Sequence, residues 1–162
     1  AMGETYPDSA VDNVLFWMES KGRLGRKAKA GFFRYDAQGK RLGYWEGLGA
    51  QYPLAAQQPN LIDVQHRLIF VQSLEAVRAL ETGVLMDIRE GDVGAILGWG
   101  FAPWSGGPFS WLDILGSPYA AERCDQLHHA YGDRFACPDL LRSMASKGQS
   151  FYGQAKKAQS AA

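Results

Sequence analysis

The side chains able to do chemistry are few, and their spacing limits what they could do. The chain carries 3 His and 2 Cys in 162 residues. His128 and His129 are adjacent, so on a helix they point about 100° apart and cannot close one metal site together. His66 lies one turn before Phe70, where a hydrogen-bonded histidine at a core edge is expected rather than a general base. Cys124 and Cys137 have no Cys or His at zinc-finger spacing and no activating neighbour in the sequence. They read as small core fillers in a reducing compartment. Glu75, Glu81, Asp87, Glu90, Asp92 and Asp113 could act as general acids or bases only if a cleft held them together, which spacing does not establish. Asp87 and Glu90 already have a sufficient role as a capping box. Asp113 follows Trp111-Leu112 and precedes Gly116, and its expected role is to bind backbone donors. No metal site is expected.

Phosphate recognition is the other chemistry to look for. A dinucleotide cradle needs Gly-x-Gly-x-x-Gly between a strand and a helix. Gly47-Leu48-Gly49-Ala50-Gln51-Tyr52 lacks the third glycine. Gly98-Trp99-Gly100-Phe101-Ala102-Pro103 has proline there and follows a helix. Lys21, Arg23, Arg26, Lys27 and Lys29 crowd one glycine-rich segment and could meet phosphates, but a solvated loop explains them as well. With 17 basic and 17 acidic residues the chain gathers no field for nucleic acid or an anionic membrane surface. Apolar runs such as Leu68–Val71 are interrupted long before the roughly 18 residues of a membrane span.

The elements that would position these groups are helical. Val11, Val14, Leu15 and Met18 share one face, which predicts a helix from Ser9 to Lys21 opened by Ser9 with Asp12 and stopped at Gly22. An isolated helix of that length is marginal in water, so its stripe should dock on an apolar surface, with self-association as one way to cover it. From Gly25 to Pro59 glycines and prolines punctuate a stretch without sustained period, an ordered loop or linker with a turn through Gly39. Asn60 caps the longest helix, which carries Val64, Leu68, Val71, Val77 and Leu80 up to Gly83. Asp87 opens a helix to the Gly98-Trp99-Gly100 break. Gly107–Leu115 is a short helix, Ser117 caps the next as far as Gly132, and the last runs from Pro138 to Gly148. No strand-like alternation competes, so the fold is expected to be all-α.

Two strings carry a family resemblance. Gly100-Phe101-Ala102-Pro103-Trp104-Ser105-Gly106-Gly107-Pro108-Phe109-Ser110-Trp111-Leu112-Asp113-Ile114-Leu115-Gly116 resembles the Gly-Phe-Pro-Pro-Trp-x-Gly-Gly run in the last helical domain of multifunctional 3-hydroxyacyl-CoA dehydrogenases of fatty-acid β-oxidation. His66 to Val84 is similar to that domain's first long helix, and Tyr131-Gly132-Asp133-Arg134-Phe135 with Pro138 continues the likeness. Upstream, Gly22-Arg23-Leu24-Gly25-Arg26-Lys27 and Gly31-Phe32-Phe33 resemble the Gly-Arg-Lys-x-Gly-Lys-Gly-Phe-Tyr that closes the preceding helical domain. Lys29-Ala30 stands where that motif has Gly-Lys, so the loop is expected to bend differently.

The resemblance implies a compact helical C-terminal domain of the 6-phosphogluconate-dehydrogenase-C-terminal-like type. Residues 1–35 would be the tail of a preceding helical domain, 36–59 a linker and 60–162 the second helical domain. Because Ala1-Met2 is not how an untouched product begins, the numbering is expected to start inside a longer protein. In the family a histidine–glutamate pair takes the 3-hydroxyl proton while NAD accepts hydride, both on a nucleotide-binding domain, often alongside an enoyl-CoA hydratase. That domain has no counterpart in these residues, nor has a substrate-side asparagine of the first helical domain. The chain alone is therefore expected to be inactive and to bind no cofactor, its parent being a cytoplasmic enzyme of fatty acyl-CoA. Its partners would be the nucleotide-binding and first helical domains. A substrate-side tyrosine of some bacterial relatives corresponds to Leu97, which can line an acyl pocket but cannot donate a hydrogen bond.

The rest of the string is expected to be structural. Gly98, Gly100, Pro103, Gly106, Gly107 and Pro108 would permit a tight reversal, with Phe101, Trp104, Phe109 and Trp111 filling the core and Asp113 bracing it. A free-standing helical module that dimerises or binds acyl-CoA is the rival reading. An unrelated enzyme is disfavoured because no His, Cys or carboxylate motif converges.

Overall fold

The computed structural model describes residues 10–153. The chain divides into two compact units, Ala1–Gln58 and Pro59–Ala162.

The first unit begins with α1 (Ala10–Ser20). The expected cap Ser9 lies outside the described residues. Gly22 at φ 66 ends the helix, with the Arg23 amide donating to the Met18 carbonyl at 3.0 Å. Of the predicted stripe only Met18 is buried, while Val11 and Leu15 are 64% and 50% exposed. The docking expected for α1 is therefore met, among the described residues, only at its C-terminal turn.

The segment read as an ordered loop or linker contains an antiparallel hairpin, β1 (Phe33–Tyr35) with β2 (Arg41–Tyr44), followed by α2 (Glu46–Gln51). Strands of 3 and 4 residues are too short for alternation to register in sequence. Stacking of Phe33 on Tyr44, centroids 4.7 Å apart, supplies what periodicity could not signal. Gly39, φ 80, makes the expected turn. Lys29 adopts φ 51, the left-handed conformation that the glycine of the family motif would favour.

The second unit carries the helices read from the sequence. α3 (Leu61–Glu81) is capped by Asn60, whose side chain accepts the Ile62 amide at 2.8 Å. α4 (Ile88–Trp99) is capped by Asp87 and stops at Gly100. α5 (Pro108–Leu115), α6 (Ser117–Tyr131) and α7 (Asp139–Lys147) follow. Ser117 departs from expectation, because it is the first residue inside α6 and its hydroxyl donates to the Gln149 carbonyl at 2.6 Å instead of capping. α3 rests on α5 and α7, and α6 lies along α7. Phe70, Leu74, Val77, Phe109, Leu112, Leu127 and Leu141 fill the space between them. Burying each such side chain stabilises by about 1.5–3 kcal/mol, the main force holding this unit together. Outside the hairpin the fold is all-α, and no described helix is long and apolar enough to cross a membrane.

Candidate functional site

The turn from α4 to α5 is built around one carboxylate. Asp92 occupies the inner face of α4 with Ile88 and Ala95 and is 2% exposed. It accepts the Phe109 amide at 2.8 Å, the Ser110 amide at 3.1 Å, the Ser110 hydroxyl at 2.6 Å and the Tyr152 hydroxyl at 2.8 Å. Two of these donors are free N–H groups of the first turn of α5, so Asp92 caps that helix from a different element. Burial, and donation to this carboxylate, hold the Tyr152 hydroxyl above its ordinary pKa. Asp113 does the same one helix later, accepting the Phe151 and Tyr152 amides at 2.8 and 2.9 Å. The role of backbone acceptor expected of Asp113 is the one its geometry gives it.

The glycines of the turn have different tasks. Gly107 has φ 113, and a Cβ there would stand 2.5 Å from Asp92. What forbids a side chain there is thus the capping carboxylate. Gly106 has φ 79. Gly100 has φ 77 and ends α4, whereas Gly98 is an ordinary residue inside the helix with open space beside it. Pro103 opens a single 3-10 turn. Phe101, Phe109 and Trp111 are buried as expected, but Trp104 is 74% exposed and takes no part in the core. Leu97 is 80% exposed near the end of α4.

A second polar network joins α3 to α6. Asp63 accepts the Tyr131 hydroxyl at 2.8 Å and pairs with Arg123. Arg123 also donates to Nδ1 of His66 at 3.1 Å. The Tyr131 hydroxyl, then Arg123, pull Asp63 below the usual carboxylate range, while burial and Arg123 push His66 down. His66 lies edge-on to Phe70 and Trp111, centroids 5.6 and 6.1 Å away, a satisfied neutral imidazole at the core edge.

The cysteines are not isolated fillers. The Cys124 thiol neighbours Cys137: this neighbour and burial push the Cys124 thiol up, while the interaction with Cys124, working against burial, draws Cys137 down. Both remain free thiols. Their separation of thirteen positions hides a contact made only when α6 and the segment before α7 come together.

Neither glycine pair fits a dinucleotide. Gly47 and Gly49 lie inside α2, where a Cβ on Gly47 would meet the Trp45 ring. Gly98 and Gly100 lie at the C-terminal end of α4, which presents carbonyls and the negative end of the dipole to any phosphate. In the basic cluster Arg23 donates to the Gly31 and Phe33 carbonyls at 2.8 and 3.2 Å, and Lys29 to the Ala37 carbonyl at 3.0 Å. Among the described residues no three His, Cys, Asp or Glu side chains could hold a metal ion.

Sequence reasoning missed Asp92 as the hub. The available signal was the spacing of Ile88, Asp92 and Ala95, which sets a carboxylate on an otherwise apolar inner face.

No family model matches the chain. It is, however, 40% identical over 154 residues to the fatty acid oxidation complex subunit alpha of Shewanella loihica. The subunits alpha of Vibrio vulnificus and Vibrio parahaemolyticus are 37% and 34% identical over 155 residues. The chain is similar to one segment of such a subunit. Each alignment takes in 93% of this chain but 21% of the relative, so the chain spans about a fifth of the length of the proteins it matches. The likeness fits the C-terminal helical domain of a 3-hydroxyacyl-CoA dehydrogenase of fatty-acid β-oxidation, the family read from the Gly100–Gly116 string.

Proposed function

We propose that this chain is a scaffold within an NAD-dependent 3-hydroxyacyl-CoA dehydrogenase and runs no reaction alone. Residues 1–35 close one helical domain, 36–59 connect it, and 60–162 form the second. The observation that carries this reading is the use made of the two carboxylates in the family string and its brace. Asp92 and Asp113 are occupied by backbone and hydroxyl donors of their own unit. A carboxylate so saturated has little capacity left to take a substrate proton. Catalysis then belongs to the nucleotide-binding domain, which holds NAD, and this chain supports that domain and the first helical domain around the fatty acyl-CoA cleft. Leu97, apolar and exposed, is the residue proposed to reach the acyl chain. The free thiols Cys124 and Cys137 suit a cytoplasmic parent.

A segment exchange tests the scaffold. In the Shewanella loihica subunit alpha, the 154 matched residues are replaced by this chain. Retained 3-hydroxyacyl-CoA oxidation, with none from the chain alone, supports the reading. Steady NADH production from repurified chain, or a folded but inactive exchange protein, overturns it.

A further inference from the structure

The chain has 2 cysteines, and the fold brings them together from different elements. Cys124 faces the core from the middle of α6 and is wholly buried. Cys137 lies between the Asp133–Phe135 turn and α7, half-buried, and packs against the core cluster to which Cys124 belongs. Contacts that use neither sulfur hold the pair in place. Arg78 of α3 donates to the Ala136 carbonyl at 2.8 Å, immediately before Cys137, and Glu81 of the same helix accepts the Leu140 amide just after it. Arg142 of α7 pairs at 2.6 Å with Asp125 of α6, the residue that follows Cys124. Three helices therefore fix the two thiols as neighbours.

The sulfurs are not equivalent. Cys124 is sealed in the core, whereas Cys137 is reached from the surface. Its neighbour Cys124 and the Arg142 guanidinium favour the Cys137 thiolate, against burial and the Asp125 and Glu81 carboxylates. Cys137 itself, then burial, keep Cys124 protonated. A small oxidant meets the accessible sulfur with thiolate character first, and a buried thiol beside it is placed to finish the reaction.

We propose that Cys137 and Cys124 form a two-thiol site that a hydroperoxide converts into an intramolecular disulfide, with Cys137 attacking and Cys124 resolving. The Cys137 thiolate attacks one oxygen of hydrogen peroxide, the O–O bond breaks, and the departing hydroxide takes up the proton that the thiol gave up. Cys137 is now a sulfenic acid. With no thiolate beside it, Cys124 loses the main obstacle to giving up its own proton. Its sulfur attacks Cys137 Sγ, the S–O bond breaks, and hydroxide leaves with the Cys124 proton as water. Two thiols and one peroxide give one disulfide and two waters, sulfur being oxidised and oxygen reduced. A thiol reductant restores both thiols by exchange. Reversible oxidation of this kind is the use a reducing compartment makes of a neighbouring thiol pair. The site lies wholly in the second unit, and the proposal does not depend on the dehydrogenase reading.

The test treats the reduced full chain with a small molar excess of hydrogen peroxide at neutral pH. Thiol titration after unfolding in urea should fall from two free thiols to none. The tryptic peptides 124–134 and 135–142 should migrate as one linked species until dithiothreitol separates them. Cys124→Ala should stop at the sulfenic acid, trapped by dimedone on Cys137, and Cys137→Ala should keep its remaining thiol. Circular dichroism checks that both variants are folded. If the core substitution Cys124→Ala does not fold, dimedone present while the wild-type chain is oxidised still decides, because it should label Cys137 and not Cys124. Two thiols surviving treatment overturn the proposal. So do a disulfide between copies, dimedone on Cys124, or Cys137 driven to sulfinic acid with Cys124 left free.

Discussion

The two units of this chain reach order by different routes. In the second, apolar side chains from α3, α5, α6 and α7 close a common core, and two carboxylates accept backbone amides from across it. In the first, Met18 is the one large apolar side chain that is buried among the described residues. There the contacts are aromatic and cationic. Trp17 stacks on Trp45 with centroids 5.4 Å apart, Tyr52 meets Trp17 edge-on at 5.5 Å, and Arg23 lies 4.2 Å over Trp45 while binding two carbonyls. A small segment with little area to bury gains order from directional contacts, and a larger one from area.

The largest expected effect breaks the second unit at its hub. Asp92→Ala leaves buried donors without an acceptor and should cost about 3–5 kcal/mol in urea unfolding, with Gly107→Val costing about 3 kcal/mol through strain and collision with Asp92. Unchanged midpoints in both variants would mean that the core alone holds α5 in place.

The matching test in the first unit is Arg23→Ala, which removes two charge-assisted hydrogen bonds and the contact with Trp45. It should loosen the α1–hairpin contact by about 2 kcal/mol, read by tryptophan fluorescence and by amide exchange at Phe33 and Trp45. If those amides stay protected, the contrast between directional and area-based order is wrong.

A smaller effect comes from pH. His66 is held neutral by burial and by Arg123, so its folded pKa lies below 6.5. As pH falls below that value the unfolded chain takes up the proton first, and the second unit loses stability until the folded value is passed. His66→Gln keeps an acceptor for Arg123 and should flatten this slope. Asp63, lowered by Tyr131 and Arg123, contributes stability that is present above 3.8 and lost as pH falls through its folded value, a separate window. An unchanged slope between pH 5 and 6.5 in His66→Gln would exclude the histidine as its source.

The smallest effect sharpens the comparison from the first unit. Lys29→Gly relieves a left-handed residue and should stabilise the loop by about 0.5–1 kcal/mol, offset in part by the lost contact with the Ala37 carbonyl. A thermal midpoint lowered by the change would show that this contact outweighs the strain.

Local chemistry was legible in the sequence. Asn60, Asp87, Gly22, Gly83, Gly100 and Gly148 mark helix ends because capping and left-handed geometry depend on a few neighbouring residues. Apolar spacing located α3 to α7, and the Gly100–Gly116 string carried the family. Only the tertiary structure decided what pairs across distance. Asp92 with the start of α5, Asp113 with Phe151, Asp63 with Tyr131 and Cys124 with Cys137 are contacts between elements, and no periodicity encodes them. The same holds for the hairpin, whose strands are too short to show a pattern, and for Trp104, whose burial depends on which way the turn faces. A residue type and its spacing set what a side chain can do within one helix; the partner that makes it do so arrives only when helices pack.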